Sequence, residues 1–218
     1  MKFLDTPRSG SMQGITASRN RYGQYFRSRA IPVNPRTSYQ AAVRARLAAN
    51  SASWRLLTNA QRAGWADLAT QMSRSDALGS SYLLNGFAAY VSVNNNLLLV
   101  GDARVLAAPA LVTPPVIDTA TLTLTAAAFS VAFTSTPLPA GTRLLAYASP
   151  QRAAGRSFEA DLRFCAASLA AAATPLVLTT AYTARFGVPV LGNRIFVALH
   201  CMTGGFRSGS LLVSQLVA

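Results

Sequence analysis

The sequence predicts an α+β protein in which a basic N-terminal arm and a small helical module precede an antiparallel β-sandwich. Two helix-start signals lie within residues 34–71. From residue 119 onward, apolar residues alternate with polar ones instead of following the helical period. A proline-rich passage separates the two patterns. These changes divide the chain into an extended basic arm (1–33), a helical module (34–101), a Pro-rich linker (102–118) and the β-sandwich (119–218).

Positive charge is concentrated at the front of the chain. The formal net charge is +13, from 20 Lys and Arg against 7 Asp and Glu. Eleven of the basic residues lie within residues 1–62, together with a single acid. Arginine suits planar contacts to carboxylate or phosphate, so a functional charge predicts an acidic protein surface or a nucleic acid as partner. A GC-rich source would produce the same arginine excess without any partner.

Composition and hydropathy argue against a membrane protein. Only 12% of the residues are charged, and a surface this poor in charge is often covered by a partner. The long uncharged runs 77–101, 119–142 and 164–184 are each broken by Asn, Thr, Gly or Pro, which predicts no membrane span. Asp5 and Pro7 interrupt any signal-peptide core at the start.

The arm combines glycine, arginine and aromatic residues without a helical period. The stretch Tyr22–Arg27 predicts a hairpin or an extended segment. One interpretation is an arm that lies across a neighbouring subunit and becomes ordered there. The alternative is a single-stranded nucleic-acid binder, since such proteins alternate basic and aromatic side chains.

The helical module carries the same start signal twice. Thr37 and Thr58 are each followed three residues later by Gln, the pattern of a capping box. This predicts helices over 38–49 and 59–71, the first ending at Asn50. Their apolar stripes are Tyr39, Val43 and Leu47 in the first and Trp65, Leu68 and Met72 in the second.

A third helix is predicted between Asn85, an acceptable N-cap, and Gly101, a natural C-terminal stop. Residues 73–85 before it are predicted to form a loop. Two short helices with a tight link also suggest a helix-turn-helix motif. The second helix offers only Arg62 as a cation for reading bases, which argues against sequence-specific DNA recognition.

Seven strands are predicted in the C-terminal part from alternation and regular turn signals. The sequence also predicts a helical turn over 181–186 that ends at Gly187, and a glycine-rich hairpin loop over 204–209. The predicted strands are Thr121–Ala127, Phe129–Thr134, Thr142–Ser149, Asp161–Ser168, Pro175–Thr180, Arg194–Met202 and Ser210–Val217.

No residue pattern predicts catalysis, a cofactor or a metal. The only histidine, His200, is predicted to face away from its strand neighbours, and no nucleophile motif accompanies it. Glu159 and Asp161 are predicted to share a strand face as a solvated ion-pair cluster with neighbouring arginines. Cys165 and Cys201 are too few for a disulfide framework. Buried thiols are favoured for them, and their pairing stays open.

The segment NPRTSYQAAVRARLAANSASWRLLTNAQRAGWADLA resembles a helical module of phage and prophage-type proteins. That module has an N-P-x-T-x-x-Q-x-x-x-R signature and then a W-x-x-L-T…Q-R-x-x-W segment. The C-terminal part, ending in RIFVALHCMTGGFRSGSLLVS, resembles a fibronectin-III or immunoglobulin-like sandwich without the Trp and Cys core marks of antibody domains. The matching module positions are Asn34, Pro35, Thr37, Gln40, Arg44, Trp54, Leu57, Thr58, Gln61, Arg62 and Trp65.

These resemblances imply a non-enzymatic structural protein of a tailed-phage virion, made in the host cytoplasm. Its expected partners are major capsid or tail proteins and further copies of itself, with nucleic acid as the alternative and no membrane. Head or tail location, copy number and symmetry stay open. The predicted partner-binding residues are Arg19, Arg21, Tyr22, Tyr25, Phe26, Arg27, Arg29, Arg36, Arg44, Trp54 and Trp65.

Overall fold

The structure is a computed structural model that describes residues 10–20, 22–31, 33–34, 36–75, 81–134, 138–168 and 175–218. Within these ranges the protein is mixed α+β, with four helices and several antiparallel sheets. The chain divides into two compact units, residues 1–43 and residues 44–218.

The first unit contains a three-stranded antiparallel sheet. Its strands are β1 (Gly10–Met12), β2 (Ile15–Asn20) and β3 (Gly23–Ser28), in the order β1-β2-β3. Of the two forms predicted around Tyr22–Arg27, a hairpin or an extended segment, the structure shows a hairpin of β2 and β3, and β1 extends it. A two-residue loop joins β1 to β2, in which Gln13 adopts a positive φ of 51°.

Helix α1 (Ser38–Arg55) is six residues longer than predicted, because Asn50 does not end it. Asn50 is buried, and its Oδ1 accepts a hydrogen bond from Arg104 Nε at 2.9 Å. Ser53 Oγ likewise accepts one from the hydroxyl of Tyr90 at 2.8 Å. Polar residues that predict a stop in isolation are thus held inside the helix by partners that lie far along the chain.

Helix α2 (Asn59–Thr70) begins at the predicted capping box. The backbone N–H of Gln61 donates to Thr58 Oγ1 at 3.2 Å, and the backbone N–H of Thr58 donates to Gln61 Oε1 at 2.9 Å. Only half of the first box forms. Gln40 donates its backbone N–H to Thr37 Oγ1 at 3.3 Å, but Gln40 Oε1 accepts no hydrogen bond from the described residues.

The predicted loop before the third helix contains two short paired strands, β4 (Ser73–Ser75) and β5 (Ser81–Leu83). Helix α3 (Gly86–Leu99) follows, and Asn85 caps it by accepting from the N–H of Ala88 at 2.7 Å. Gly101 ends it with a φ of +81°. The N–H groups of Gly101 and Asp102 donate to the carbonyls of Leu98 and Leu97, which is a Schellman motif.

Helices α1, α2 and α3 share an apolar core built around two aromatic rings. Trp65 and Tyr90 pack edge to face, with 5.1 Å between ring centroids. The indole N–H of Trp65 donates to the carbonyl oxygen of Leu106 at 2.8 Å, which fixes the start of the Pro-rich passage against α2. The other buried apolar members of this cluster are Leu57, Leu68, Ala69, Ala89, Val93, Leu97 and Phe206.

An observed strand overlaps each of the seven predicted strands. They are β6 (Ala120–Leu124), β7 (Phe129–Phe133), β8 (Thr142–Ala148), β9 (Arg163–Ala167), β10 (Leu176–Val177), β11 (Arg194–Thr203) and β13 (Leu211–Leu216); β12 (Phe206–Arg207) is additional. The predicted strand at 175–180 ends early because helix α4 (Thr179–Phe186) begins there. Gly187 ends α4, as predicted, with a φ of +84°.

These strands form two antiparallel sheets that bury one apolar core. One sheet has the order β10-β7-β6. In the other, β11 pairs with β8 along one edge and with β12 and β13 along its other edge, and β9 lies beyond β8. Apolar side chains from both sheets and from α4 form the core, including Leu122, Leu124, Phe129, Val131, Leu144, Tyr182, Ile195, Val197 and Leu199.

The glycine-rich loop predicted between the last strands is a hairpin, and it packs against α3. A Cβ added to Gly205 would lie 2.7 Å from Val93 Cγ1 and 2.8 Å from the Val93 carbonyl oxygen. Phe206, next in the chain, inserts into the helical core. The absence of a side chain at Gly205 therefore lets the hairpin approach the helix backbone directly.

Candidate protein-interaction surface

One face of the sheet β1-β2-β3 carries most of the apolar side chains of that sheet. Residues directly opposite each other in an antiparallel pair place their side chains on the same face. Met12 pairs with Ile15, and Ala17 pairs with Phe26. By alternation these four residues share a face, and the Arg19–Gln24 pair lies at one end of it.

The three large side chains on this face, Met12, Ile15 and Phe26, are exposed, and Ala17 is half-buried. Met12 is 77% exposed and Ile15 is 55% exposed. None of the described residues between 10 and 43 is buried. A small antiparallel sheet normally gains independent stability by packing an apolar face against another layer. We name the face defined by Met12, Ile15, Ala17 and Phe26 the arm's apolar face.

The opposite face of the same sheet is polar and basic. The pairs Ser11–Thr16, Thr16–Arg27 and Ser18–Tyr25 place these five residues on it. The hydroxyl oxygens of Ser11 and Thr16 lie 2.8 Å apart, which is a hydrogen bond across the strands. We name this the arm's polar face; it carries one aromatic ring and one guanidinium on the same strand.

The predicted apolar stripe at the start of α1 is also exposed. Tyr39 is 42% exposed and Leu47 is 49% exposed, and Val43 between them is exposed as well. Positions spaced by four residues lie on one side of a helix. Burial in α1 begins only at Asn50, so its first three turns present apolar side chains at the surface.

The predicted partner-binding arginines of the arm are distributed over several positions. Arg19 belongs to the apolar face and Arg27 to the polar face. Arg29 follows β3, where its backbone N–H donates to the carbonyl oxygen of Gly14 at 2.8 Å. Arg36 adopts a φ of +49° and donates its backbone N–H to Asn34 Oδ1 at 3.2 Å. Arg21 lies outside the described residues.

The structure places the two predicted tryptophans in the helical core. Trp65 has no exposed surface, so its side chain stabilises the module and is not presented to a partner. Trp54 is half-buried, with its ring centroid 5.7 Å from Phe87 and 5.4 Å from Tyr90. Alternation of apolar residues along an arm is the signal that would have placed Met12 and Ile15 among the candidates instead.

Arg62 is engaged within the helical module. Its NH2 group donates to the carbonyl oxygens of Arg55 at 2.9 Å and of Trp54 at 3.4 Å. These are the last carbonyls of α1, and a cation is favourable at a helix C-terminus. The side chain that a helix-turn-helix motif would use for base contacts therefore stabilises the turn between α1 and α2.

His200 lies on the opposite side of β11 from the core residues Leu199 and Cys201, as predicted. Its Nδ1 lies 3.3 Å from the carbonyl oxygen of Ser208, which makes Nδ1–H the donor, and its ring contacts Tyr147 edge-on at 5.5 Å. Burial lowers the pKa of the imidazole below its ordinary value. A neutral ring in this position is an ordinary packed side chain.

The acidic pair differs from its prediction in place and in burial. Glu159 and Asp161 precede β9 and are not on a strand. Glu159 is 4% exposed and is bound by Arg152, with Arg156 Nε at 3.3 Å. Both carboxylates are predicted to be solvated, and this prediction is wrong for Glu159. Its partner Arg152 lies in an irregular segment, and the periodicity of the sequence does not indicate that the two side chains meet.

The two cysteines are free thiols. Cys201 on β11 pairs with Leu144 on β8, whereas Cys165 lies on β9, across the other edge of β8. Two strand spacings are about 10 Å, which exceeds the Cα separation that a disulfide spans. Burial raises the pKa of the Cys165 thiol to about 11.

Within the described residues, no three His, Cys, Asp or Glu side chains lie together in a way that would hold a metal ion. Among the helices of the described ranges, none is both long enough and apolar enough to cross a membrane. No protein-family model, curated protein or solved structure matches the chain. The function is therefore inferred from the arm's residues, their exposure and charge, and the sequence resemblance of the helical module.

Proposed function

We propose that this chain is a non-enzymatic structural protein of a tailed-phage virion. Its N-terminal part attaches to the capsid or tail lattice, and its C-terminal β part is presented beside or outside that lattice. The attachment surface comprises the arm's apolar face and the exposed stripe at the start of α1. The virion setting comes from the resemblance of residues 34–69 to phage and prophage-type modules.

The observation that carries the proposal is the lack of any buried side chain among the described residues of 10–43. Folded sheets stabilise themselves by removing apolar surface from water, at about 25 cal/mol per Å². Met12 and Ile15 keep most of their surface in contact with water here. A partner that covers them supplies the burial that the sheet does not obtain from its own single layer.

Charge supports an acidic surface as the partner. Residues 10–43 contain Arg19, Arg21, Arg27, Arg29 and Arg36 and no Asp or Glu. Arginine tolerates burial at interfaces because its guanidinium is weakly hydrated and forms bidentate bonds to carboxylates. Such pairs add specificity and faster association to the affinity that apolar burial provides.

We also propose that the C-terminal part belongs to the immunoglobulin-like or fibronectin-III-like sandwiches. Two antiparallel sheets that enclose one apolar core are compatible with that architecture. In this role the β part supplies bulk and a stable surface.

A second candidate is binding of single-stranded nucleic acid by the arm's polar face. Tyr25 and Arg27 lie on the same side of β3, and aromatic rings beside guanidinium groups stack bases and neutralise phosphates. The two candidates use opposite faces of one sheet. Substitutions on either face therefore distinguish them.

The experiment measures co-sedimentation of the purified chain with tailed-phage particles from its source. Met12→Ser with Ile15→Ser removes the apolar contact, and Tyr25→Ser with Arg27→Gln removes the stacking and charge of the opposite face. Lattice attachment predicts that the first pair weakens co-sedimentation at least tenfold, which corresponds to about 1.4 kcal/mol. Wild-type attachment by the Met12→Ser/Ile15→Ser protein contradicts the proposal.

Binding to single-stranded oligonucleotides is measured in parallel over a range of salt concentrations. Nucleic-acid recognition predicts an affinity that falls steeply with salt and is lost in the Tyr25→Ser/Arg27→Gln protein. Limited proteolysis adds an independent test. The arm is expected to be cleaved in the isolated chain and protected on particles, and a fully resistant arm in an isolated monomer would count against lattice attachment.

A further inference from the structure

A cleft of about 420 Å³ lies within residues 44–218, between the helical module and the β part. Its walls come from the end of α2 and β4, from α3, from the Pro-rich passage and from the β11–β12 hairpin. Ser92 and Asn96 contribute from α3, and Leu111 to Pro114 contribute from the Pro-rich passage. Small-molecule sites typically have volumes of about 300–1,000 Å³, so this cleft is large enough for a small ligand.

Two arginines line the cleft. Arg207 on β12 is partly buried, and its guanidinium lies over the ring of Tyr147, 5.5 Å from the ring centroid. Its Nε is shielded from solvent and has no hydrogen-bond partner among the described residues. This cation–π contact restricts the guanidinium, which lowers the entropy lost when it binds an anion.

Arg74 on β4 provides the second guanidinium. Its NH2 group donates to Ser92 Oγ at 3.0 Å, which ties the exposed side chain to the surface of α3. Because this is one hydrogen bond from NH2, other N–H groups of the Arg74 guanidinium are available for a ligand. The two arginines thus approach the cleft from different elements, each with a contact that restricts its position.

Among the described residues that line the cleft, none is acidic, so none of them supplies a carboxylate to balance these charges. Asp102 follows α3 in the chain, and Arg143 Nε already donates to its Oδ2 at 3.1 Å. Two like charges around a shared concavity repel each other, and an anion bound between them relieves that repulsion.

We propose that this cleft binds a small oxyanion-bearing molecule, with a phosphate or carboxylate group held by Arg74 and Arg207. The guanidinium groups form charge-assisted hydrogen bonds to the oxyanion, and the polar side chains of Ser92, Asn96 and Gln71 line the space for the remainder of the ligand. The site is independent of the arm and of attachment to a lattice.

The test is isothermal titration calorimetry of the full chain with pyrophosphate and, separately, with citrate at constant ionic strength near 0.15 M. Saturable binding of one molecule per chain is expected with at least one of the two. Binding of pyrophosphate alone identifies a phosphate site, and binding of both identifies a general oxyanion site. If neither probe shows saturable binding at concentrations up to about 10 mM, the proposal is overturned, because the dissociation constant would then exceed that concentration.

Two variants locate the site and one variant controls for overall charge. Arg74→Gln and Arg207→Gln are each expected to weaken binding about tenfold or more. Arg55→Gln removes the same charge from an exposed position that does not line the cleft, and it is expected to leave binding unchanged. Arg74 is exposed on a short strand, so its variant keeps the test valid if Arg207→Gln does not fold. Wild-type binding by Arg74→Gln, or an equal loss in Arg55→Gln, contradicts the proposal.

Discussion

The side-chain amide of Asn96 donates a hydrogen bond to the carbonyl oxygen of Gly205, with 2.7 Å between Nδ2 and O. These residues lie 109 positions apart in the chain, one on α3 and the other in the β11–β12 hairpin. The hairpin thereby connects the helical module to the β-sheets inside residues 44–218. Phe206 strengthens this contact because its ring enters the core of the helices.

Gly205→Ala is expected to lower the free energy of unfolding by about 2 kcal/mol or more. The new methyl group would lie within 2.8 Å of Val93 atoms, and the backbone there has a φ of +87°, which alanine disfavours. Urea denaturation measures the loss.

Gly204→Ala is the matched control for this substitution. Gly204 also has a positive φ, of +57°, but a Cβ added to it would meet nothing within 4 Å. It therefore reports the backbone cost alone, about 1 kcal/mol. Equal losses in the two variants would show that the close approach to α3 contributes nothing to stability.

Thr58→Ala is expected to destabilise the protein by about 1 kcal/mol, because it removes the acceptor of the complete capping box on α2. Thr37→Ala is the comparison, since its box has one bond of 3.3 Å and lies at an exposed helix start. We expect that loss to be about 0.5 kcal/mol or less. A greater loss from Thr37→Ala than from Thr58→Ala, measured by the urea midpoint, would contradict this ranking.

Local signals predicted the starts and stops of elements well. The cap at Thr58, the cap at Asn85 and the stop at Gly101 all depend on hydrogen bonds within a few residues, so the sequence contains both partners. The continuation of α1 past Asn50 was not predictable in this way, because Arg104 comes from a distant segment. The same limit applies to Glu159, whose partner Arg152 reaches it through an irregular loop.

The candidate surfaces show the same contrast between local signals, which the sequence contains, and contacts between distant residues, which it does not reveal. The sequence predicted a basic, aromatic arm with a hairpin, yet it did not separate Trp65, which is buried, from Met12, which is exposed. Strand register decides which arm residues share a face, and register depends on pairing that composition does not specify. The cleft with Arg74 and Arg207 was also not predictable, because its two cations are 133 positions apart in the sequence.

Deletion of residues 1–33 is expected to leave the unfolding of residues 44–218 almost unchanged, within about 0.5 kcal/mol. The described part of the deleted segment has no buried side chain, so little apolar surface is transferred to water on its removal. Denaturation of the full chain and of the shortened chain, monitored by tryptophan fluorescence, gives the comparison. Trp54 and Trp65 both lie in the helical core and report the retained unit. A loss above about 1 kcal/mol would contradict the expectation.

Alkylation of Cys165 by iodoacetamide at pH 8 is expected to be slow in the folded protein and fast after unfolding. Its pKa is raised to about 11 by burial, so the reactive thiolate is scarce at pH 8. Mass spectrometry of the labelled chain identifies the modified residue. Cys165→Ser provides the control, since label that remains in that protein belongs to Cys201. Complete labelling of native Cys165 within minutes would show that the thiol is not shielded as the structure indicates.

Glu159→Gln is expected to flatten the dependence of stability on pH in the acid range. A backbone hydrogen bond from Asp161, assisted by Arg152 and Arg156, lowers the pKa of the Glu159 carboxyl below its ordinary value of about 4.3. Because the folded-state pKa is the lower one, the ionised carboxylate stabilises the fold above the unfolded-state pKa. That stabilisation is lost as the pH falls from about 4 through the folded-state pKa. Urea denaturation at intervals between about pH 7 and pH 2 is therefore expected to show wild type more stable than Glu159→Gln at neutral pH. The free energies of unfolding of the two proteins should converge at the acid end, where glutamine resembles the protonated acid. A constant difference at every pH would assign the effect of Glu159 to packing instead of charge.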